Sequence, residues 1–247
     1  MKKIKEYLFE IILFLTLVII FAVLFWLNAP YKSEAAQSYS TTSYASTTYN
    51  IATGNVSVFA WVNKNSDTNL DFAWAQKTTL DNQNMNLVQR SAAGGNDYAC
   101  QGLTGSIDQT VKPNYGKWEF VACVFDGINM TGYIFNLDGT LRASVAGAAT
   151  RTGTEDGFVI GSAATNNWNG SVRMLTVSDA VLTQAQLRRA MFCNGNPYNC
   201  GIPQIELFCP LTSGTDNRCW TGSGQISLKM FSSPSTSNDP PTTPFTF

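Results

Sequence analysis

Three lysines lead into a long apolar run, and that run separates everything after it from the cytosol. Lys2, Lys3 and Lys5 precede residues 11–27, where Thr16 is the one hydrophilic interruption. Seventeen residues of α-helix rise roughly 25 Å, close to the hydrocarbon thickness of a bilayer. Counting from residue 7 lengthens the span and takes in Glu10, which then lies at headgroup level. The lysines stand before the span and only Lys32 follows it closely, which keeps the N-terminus inside. Residues 1–28 therefore read as an uncleaved membrane anchor with a lipid-bilayer partner at residues 7–27. A long signal peptide, cut near Ser33-Glu34-Ala35, is the alternative. Either reading puts the C-terminal domain on the extracytoplasmic side, at a cell surface or a virion membrane.

That compartment sets the meaning of the cysteines. Cys100, Cys123, Cys193, Cys200, Cys209 and Cys219 all follow the span, and six cysteines in an oxidising compartment read as up to three disulfides. Fifteen pairings are open in principle. Proximity and strand pairing favour Cys100–Cys123, Cys193–Cys200 and Cys209–Cys219. A zinc site made from the last four is the alternative, against which stands the lack of a tight C-x₂₋₄-C pair. The chain has no histidine, which removes His-based triads, His metal ligands and a His-driven pH switch. Charged residues are 13% of the chain and the net charge is -1, so no basic surface recruits nucleic acid.

Beyond residues 29–50, a Ser/Thr/Tyr-rich linker or first strand, short apolar segments alternate with turn signals. VSVFAWVN (residues 56–63) is apolar on both faces and predicts a central strand. KWEFVACVF (residues 117–125) places Trp118, Phe120, Ala122 and Val124 on one face. Glu119, Val121, Cys123 and Phe125 take the other. Asp138-Gly139, flanked by TGYIFNL and LRASVA, is the strongest hairpin signal. Further strands are expected at residues 71–77, 85–90, 98–103, 158–161, 171–177, 205–209 and 225–230. One helix follows Thr183, whose spacing to Gln186 fits a capping box, and it ends near Cys193-Asn194-Gly195. Regular short strands with one helix predict an all-β, two-sheet antiparallel jelly-roll sandwich. The Pro/Ser/Thr-rich tail, residues 232–247, is expected to be extended or disordered.

Several segments carry a resemblance in their order. They are Gly116-Lys117-Trp118-Glu119-Phe120-Val121-Ala122, Asp126-Gly127, Tyr133-Ile134-Phe135-Asn136-Leu137-Asp138-Gly139 and Val159-Ile160-Gly161-Ser162. Trp168-Asn169-Gly170-Ser171-Val172 and Ser178-Asp179-Ala180-Val181-Leu182-Thr183 complete the series. Together with Val58-Phe59-Ala60-Trp61-Val62 they resemble the laminin-G-like domains of the concanavalin A-like lectin/glucanase superfamily over residues 55–192. The resemblance implies a concanavalin A-like jelly roll, and the domain is expected to occupy residues 51–231 with a disulfide-rich extension from about residue 193. It also implies extracellular binding or adhesion towards glycans or proteins. Calcium is implied as a cofactor, with Asp67, Asp71, Asp97 and Asp156 as loop ligands, since a hard cation takes oxygen donors. The acidic residue expected after the late glycine is missing, because Gly170 is followed by Ser171, Val172 and Arg173.

Catalysis finds no support. Retaining glycoside hydrolysis needs two carboxyl groups about 5 Å apart. Glu34, Glu119, Glu155 and Glu206 are the only glutamates past the span, and none sits in the superfamily's E-x-D-x-x-E pattern. A sugar site needs an aromatic face beside hydrogen-bonding groups. Asn166-Asn167-Trp168-Asn169 has that composition and Tyr98 is a further loop ring, although Trp168 falls where the superfamily places a core aromatic. The expected function is therefore recognition or adhesion through the jelly roll. The alternative is a non-catalytic structural or assembly protein of a cell surface or membrane-containing virion.

Overall fold

A strand that is apolar on both faces must be covered on both, and Val56–Lys64 and Trp118–Phe125 set the architecture for that reason. The computed structural model describes residues 36–39, 44–47, 49, 54–66, 71–77, 83–92, 95–151, 157–163, 166–193, 196–212, 218–231 and 235–237. The first strands are β1 (Ala36–Tyr39), β2 (Tyr44–Thr47), β3 (Val56–Lys64), β4 (Asp71–Lys77), β5 (Gln83–Ala92), β6 (Gly95–Gly102) and β7 (Ser106–Asp108). There follow β8 (Trp118–Phe125), β9 (Asn129–Phe135), β10 (Leu141–Ala148), β11 (Gly157–Ile160), β12 (Ser162–Ala163), β13 (Asn166–Asn167) and β14 (Gly170–Ser178). Helix α1 (Gln184–Met191) and a 3-10 turn (Pro197–Cys200) precede β15 (Ile205–Cys209), β16 (Arg218–Thr221), β17 (Gly224–Ser227), β18 (Lys229–Phe231) and β19 (Ser235–Ser237).

The first sheet runs β10-β9-β8-β3-β14-β15-β16-β17, with β1 beside β14 and β19 beside β1. The second runs β18-β2-β11-β4-β5-β6-β7, with the small β12–β13 pair beside β4. Neighbours are antiparallel apart from the single β13–β4 bridge. β3 lies between β8 and β14, as its two apolar faces predict. Val58, Ala60, Val62, Val121, Cys123 and Phe125 turn inward onto Trp74, Leu87, Tyr98, Cys100, Phe158 and Ile160 of the opposite sheet. Their neighbours Phe59, Trp61, Trp118, Phe120, Ala122 and Val124 face outward into a second core, closed by Leu187, Ala190 and Met191 of α1.

α1 starts where expected. Thr183 Oγ1 accepts from the Gln186 N–H, and the Gln186 side chain accepts from the Thr183 N–H, so two orphan donors are satisfied. The Asp138-Gly139 hairpin is docked beneath the helix end: a Cβ on Gly139, whose φ is 77°, would meet Phe192 at 2.8 Å. Residues 29–50 supply two strands rather than one, β1 to the first sheet and β2 to the second. The tail also contributes, because β19 pairs with β1. The segment expected as one strand at residues 225–230 is split between the two sheets, with buried Leu228 at the crossing. The anchor expected at residues 7–27 lies outside the described residues.

Three disulfides hold these parts. Cys100–Cys123 joins β6 to β8 across the main core. Cys193–Cys200 ties the end of α1 to the 3-10 turn, and Cys209–Cys219 ties β15 to β16. On the opposite flank a side chain takes one backbone donor of the edge strand. On β10, the last strand of its sheet, Val145 donates its N–H to Gln109 Oε1 at 3.2 Å. Buried Gln109 donates in turn to the Ile107 carbonyl at 3.1 Å, and it lies so close over Gly132 that a Cβ there would meet it at 2.1 Å.

Candidate functional site

Tyr98 points into the main core because it alternates along β6 with Asp97 and Ala99, which take the other face of the sheet, and Trp168 comes to lie beside it. Their rings stack at 6.5 Å and 19°, and both are fully buried. Lys64 Nζ, also buried, sits 4.8 Å from the Trp168 ring centroid, a cation–π contact inside the fold. Around Tyr98 a polar network closes on Glu119. The Tyr98 hydroxyl donates to Glu119 Oε2 at 3.0 Å, and the Asn114 backbone N–H donates to the same oxygen at 2.9 Å. Asn114 Nδ2 donates to Oε1 at 2.9 Å, and Arg142 forms an ion pair with that oxygen. Arg142 also donates to the Lys112 carbonyl at 2.7 Å. Burial, and then the Glu119 carboxylate, push the Tyr98 hydroxyl well above its ordinary pKa.

This corrects two expected ligand contacts. Tyr98 and Trp168 present no ring face to solvent, because each is consumed in packing and, for Tyr98, in satisfying a buried carboxylate. Asn166 and Asn167 form β13, and their side chains lie outside the described residues. Of the expected calcium ligands, Asp67 and Asp156 lie outside the described residues, and Asp71 is described only as the first residue of β4. Asp97 is half-buried on β6, in register with Arg90 of β5. Among the described residues no three His, Cys, Asp or Glu side chains stand together.

A partly exposed aromatic cluster lies elsewhere, on the disulfide-rich extension. β15 places Phe208 on the outward face of the first sheet, opposite Trp220 of β16 in register. The Phe208 and Trp220 rings stack at 6.2 Å and 29°. Tyr198, on the 3-10 turn, meets Phe208 edge-on at 6.3 Å and 86°. Phe208 is buried, Trp220 half-buried, and Tyr198 is 44% exposed. Charges of both signs flank the rings. The Arg218 guanidinium lies 5.9 Å from the Trp220 ring, and half-buried Glu206 accepts from the Tyr49 hydroxyl at 3.2 Å. Burial and the Glu206 carboxylate raise the pKa of both Tyr49 and Tyr198. Sequence reading did not single out Tyr198, Phe208, Trp220, Glu206 or Arg218. The available signal was positional: Phe208 and Trp220 are each bonded to a cysteine of one disulfide, and Tyr198 stands two residues before Cys200.

Two facing antiparallel sheets with one sheet capped by a helix make this a jelly-roll sandwich of the lectin type. A laminin G profile of the Concanavalin A-like lectin/glucanases superfamily matches residues 34–188, and the chain belongs to that superfamily. Among solved structures, a candidate carbohydrate-binding protein from Bacteroides ovatus is similar at 16% identity and a TM-score of 0.59, covering 84% of this chain. This chain spans 60% of that protein's length. The heptameric SAP-like pentraxin of Limulus polyphemus is similar at 14% identity and a TM-score of 0.54, covering 80% of this chain and 93% of its own. The LG1-3 region of the laminin α2 chain aligns at 14% identity and a TM-score of 0.47, over 62% of this chain and 33% of its own. No curated protein sequence matches the chain. The profile match stops at Arg188, before Tyr198, Phe208 and Trp220.

Proposed function

We propose that this chain is a membrane-anchored, extracytoplasmic recognition protein that binds a glycan or a protein partner without chemical turnover. The observation that carries the reading is a lectin-type sandwich cross-linked through its core by Cys100–Cys123. A binding fold of this superfamily suits recognition, and a disulfide between its sheets suits an oxidising compartment. The state of Glu119 agrees with a role other than hydrolysis. Its carboxylate is buried and spent on Tyr98, Asn114 and Arg142, where no substrate reaches it. The apolar run at residues 11–27 supplies the anchor in this reading.

Two measurements test it. The full chain in detergent micelles, screened on a glycan array with calcium and with chelator, is expected to retain a discrete set of oligosaccharides. Retention of none under either condition removes the glycan reading. Mass spectrometry of the mature N-terminus is expected to find the lysines still attached, and a mature start at Ala36 refutes the anchor.

A further inference from the structure

The C-terminal extension carries three aromatic rings in contact and two of the three disulfides, and the disulfides tie the segments that bear the rings. Cys209–Cys219 crosses between β15 and β16 beside Phe208 and Trp220. Cys193–Cys200 pins the 3-10 turn that carries Tyr198 to the end of α1. Asn196 caps that turn by accepting from the Tyr198 N–H at 3.0 Å. The rings are thus fixed before any ligand arrives, which lowers the entropic cost of binding.

We infer that Tyr198 and Trp220, each in ring contact with Phe208, form a stacking ledge for a pyranose oligosaccharide, with Glu206 beside them and Arg218 over the Trp220 ring engaging the sugar hydroxyls. This rests on the recognition reading above and names a surface and a ligand class for it. A sugar ring offers an apolar C–H face and a polar edge, which suits an aromatic face flanked by an acceptor-only carboxylate and a donor-only guanidinium. The outer rings lie no farther apart than the two centroid steps of 6.3 and 6.2 Å, within the reach of a short oligosaccharide. Size argues against a protein partner. A stable protein interface needs about 800 Å² per side. Aromatic side chains bury only about 150–250 Å² each, and of these three Phe208 is already buried and Tyr198 is 44% exposed.

The full chain in detergent, titrated calorimetrically with cellohexaose, xylohexaose, chitohexaose and maltohexaose, tests the ledge. At least one hexasaccharide is expected to bind. Tyr198→Ala and Trp220→Ala are each expected to weaken that binding at least tenfold, while Tyr198→Phe, which keeps the ring, stays within threefold of the parent. Near-UV circular dichroism verifies the fold of each variant, and exposed Tyr198 provides the substitution least able to disturb it. Binding that survives both alanine variants overturns the ledge and leaves the glycan reading standing. Equal losses in Tyr198→Phe and Tyr198→Ala overturn stacking, and a parent that binds none of the four overturns ledge and glycan together.

Discussion

Glu119 is 1% exposed, and a carboxylate in that position survives only because donors surround it. Arg142 supplies its countercharge and is itself 21% exposed. Arg142→Met keeps most of the side-chain volume and removes the charge. It is expected to cost about 3 kcal/mol, the lower end of the range for breaking a buried pair, since Tyr98 and Asn114 remain. Chemical denaturation of Arg142→Met, Glu119→Gln and the double variant checks this, with the double variant losing less than the sum of the two. Tyr98 gives the same network a pH signature. Its native pKa is raised, so the native fold holds this proton after unfolded tyrosines, with pKa near 10, have released theirs. The stabilisation from this group is complete below pH 10 and declines as the pH climbs from there towards the native value. Melting curves across the alkaline range should fall less steeply for Tyr98→Phe than for the parent. That variant should also lose about 1.5–3 kcal/mol at neutral pH with the bond to a charged acceptor.

Among the elements, α1 depends most on local chemistry, being only eight residues long. Its capping box satisfies donors that a helix this short has no length to spare. Thr183→Ala is expected to cost about 1 kcal/mol in urea denaturation, and Thr183→Ser to restore most of it. The elements also divide by how far sequence reading reaches. The face assignment of residues 118–125 holds residue by residue, because a period of two needs no distant information. β4 and β15 have the bounds their apolar segments suggest. β1 and β19 are less legible, since Ser, Gln and Thr segments become strands only where a neighbouring edge accepts them. Trp168 and Tyr98 fail as ligand contacts for a related reason: a loop composition of Asn and Trp does not reveal that Lys64 and Glu119 lie beneath it. The Tyr198–Phe208–Trp220 cluster was hidden because its rings come from three separate segments and meet only after β15, β16 and the 3-10 turn are tied together.

For the molecule as a whole, Cys100–Cys123 is the cross-link between layers, while the other two bridges act within the extension. Its sequence separation of 23 corresponds to about 3 kcal/mol of lost unfolded-chain entropy. Replacing both cysteines by alanine should lower stability by that order, read as a shift in the urea midpoint without change of slope. Non-reducing peptide mapping should recover the three bridges, and a different pairing would contradict the fold. On the other flank of the first sheet, the Gln109 side-chain amide occupies the Val145 N–H of the last strand. A second copy of the fold approaching along β10 would therefore find that rung of the ladder already taken, which works against neighbouring molecules zipping edge to edge into threads.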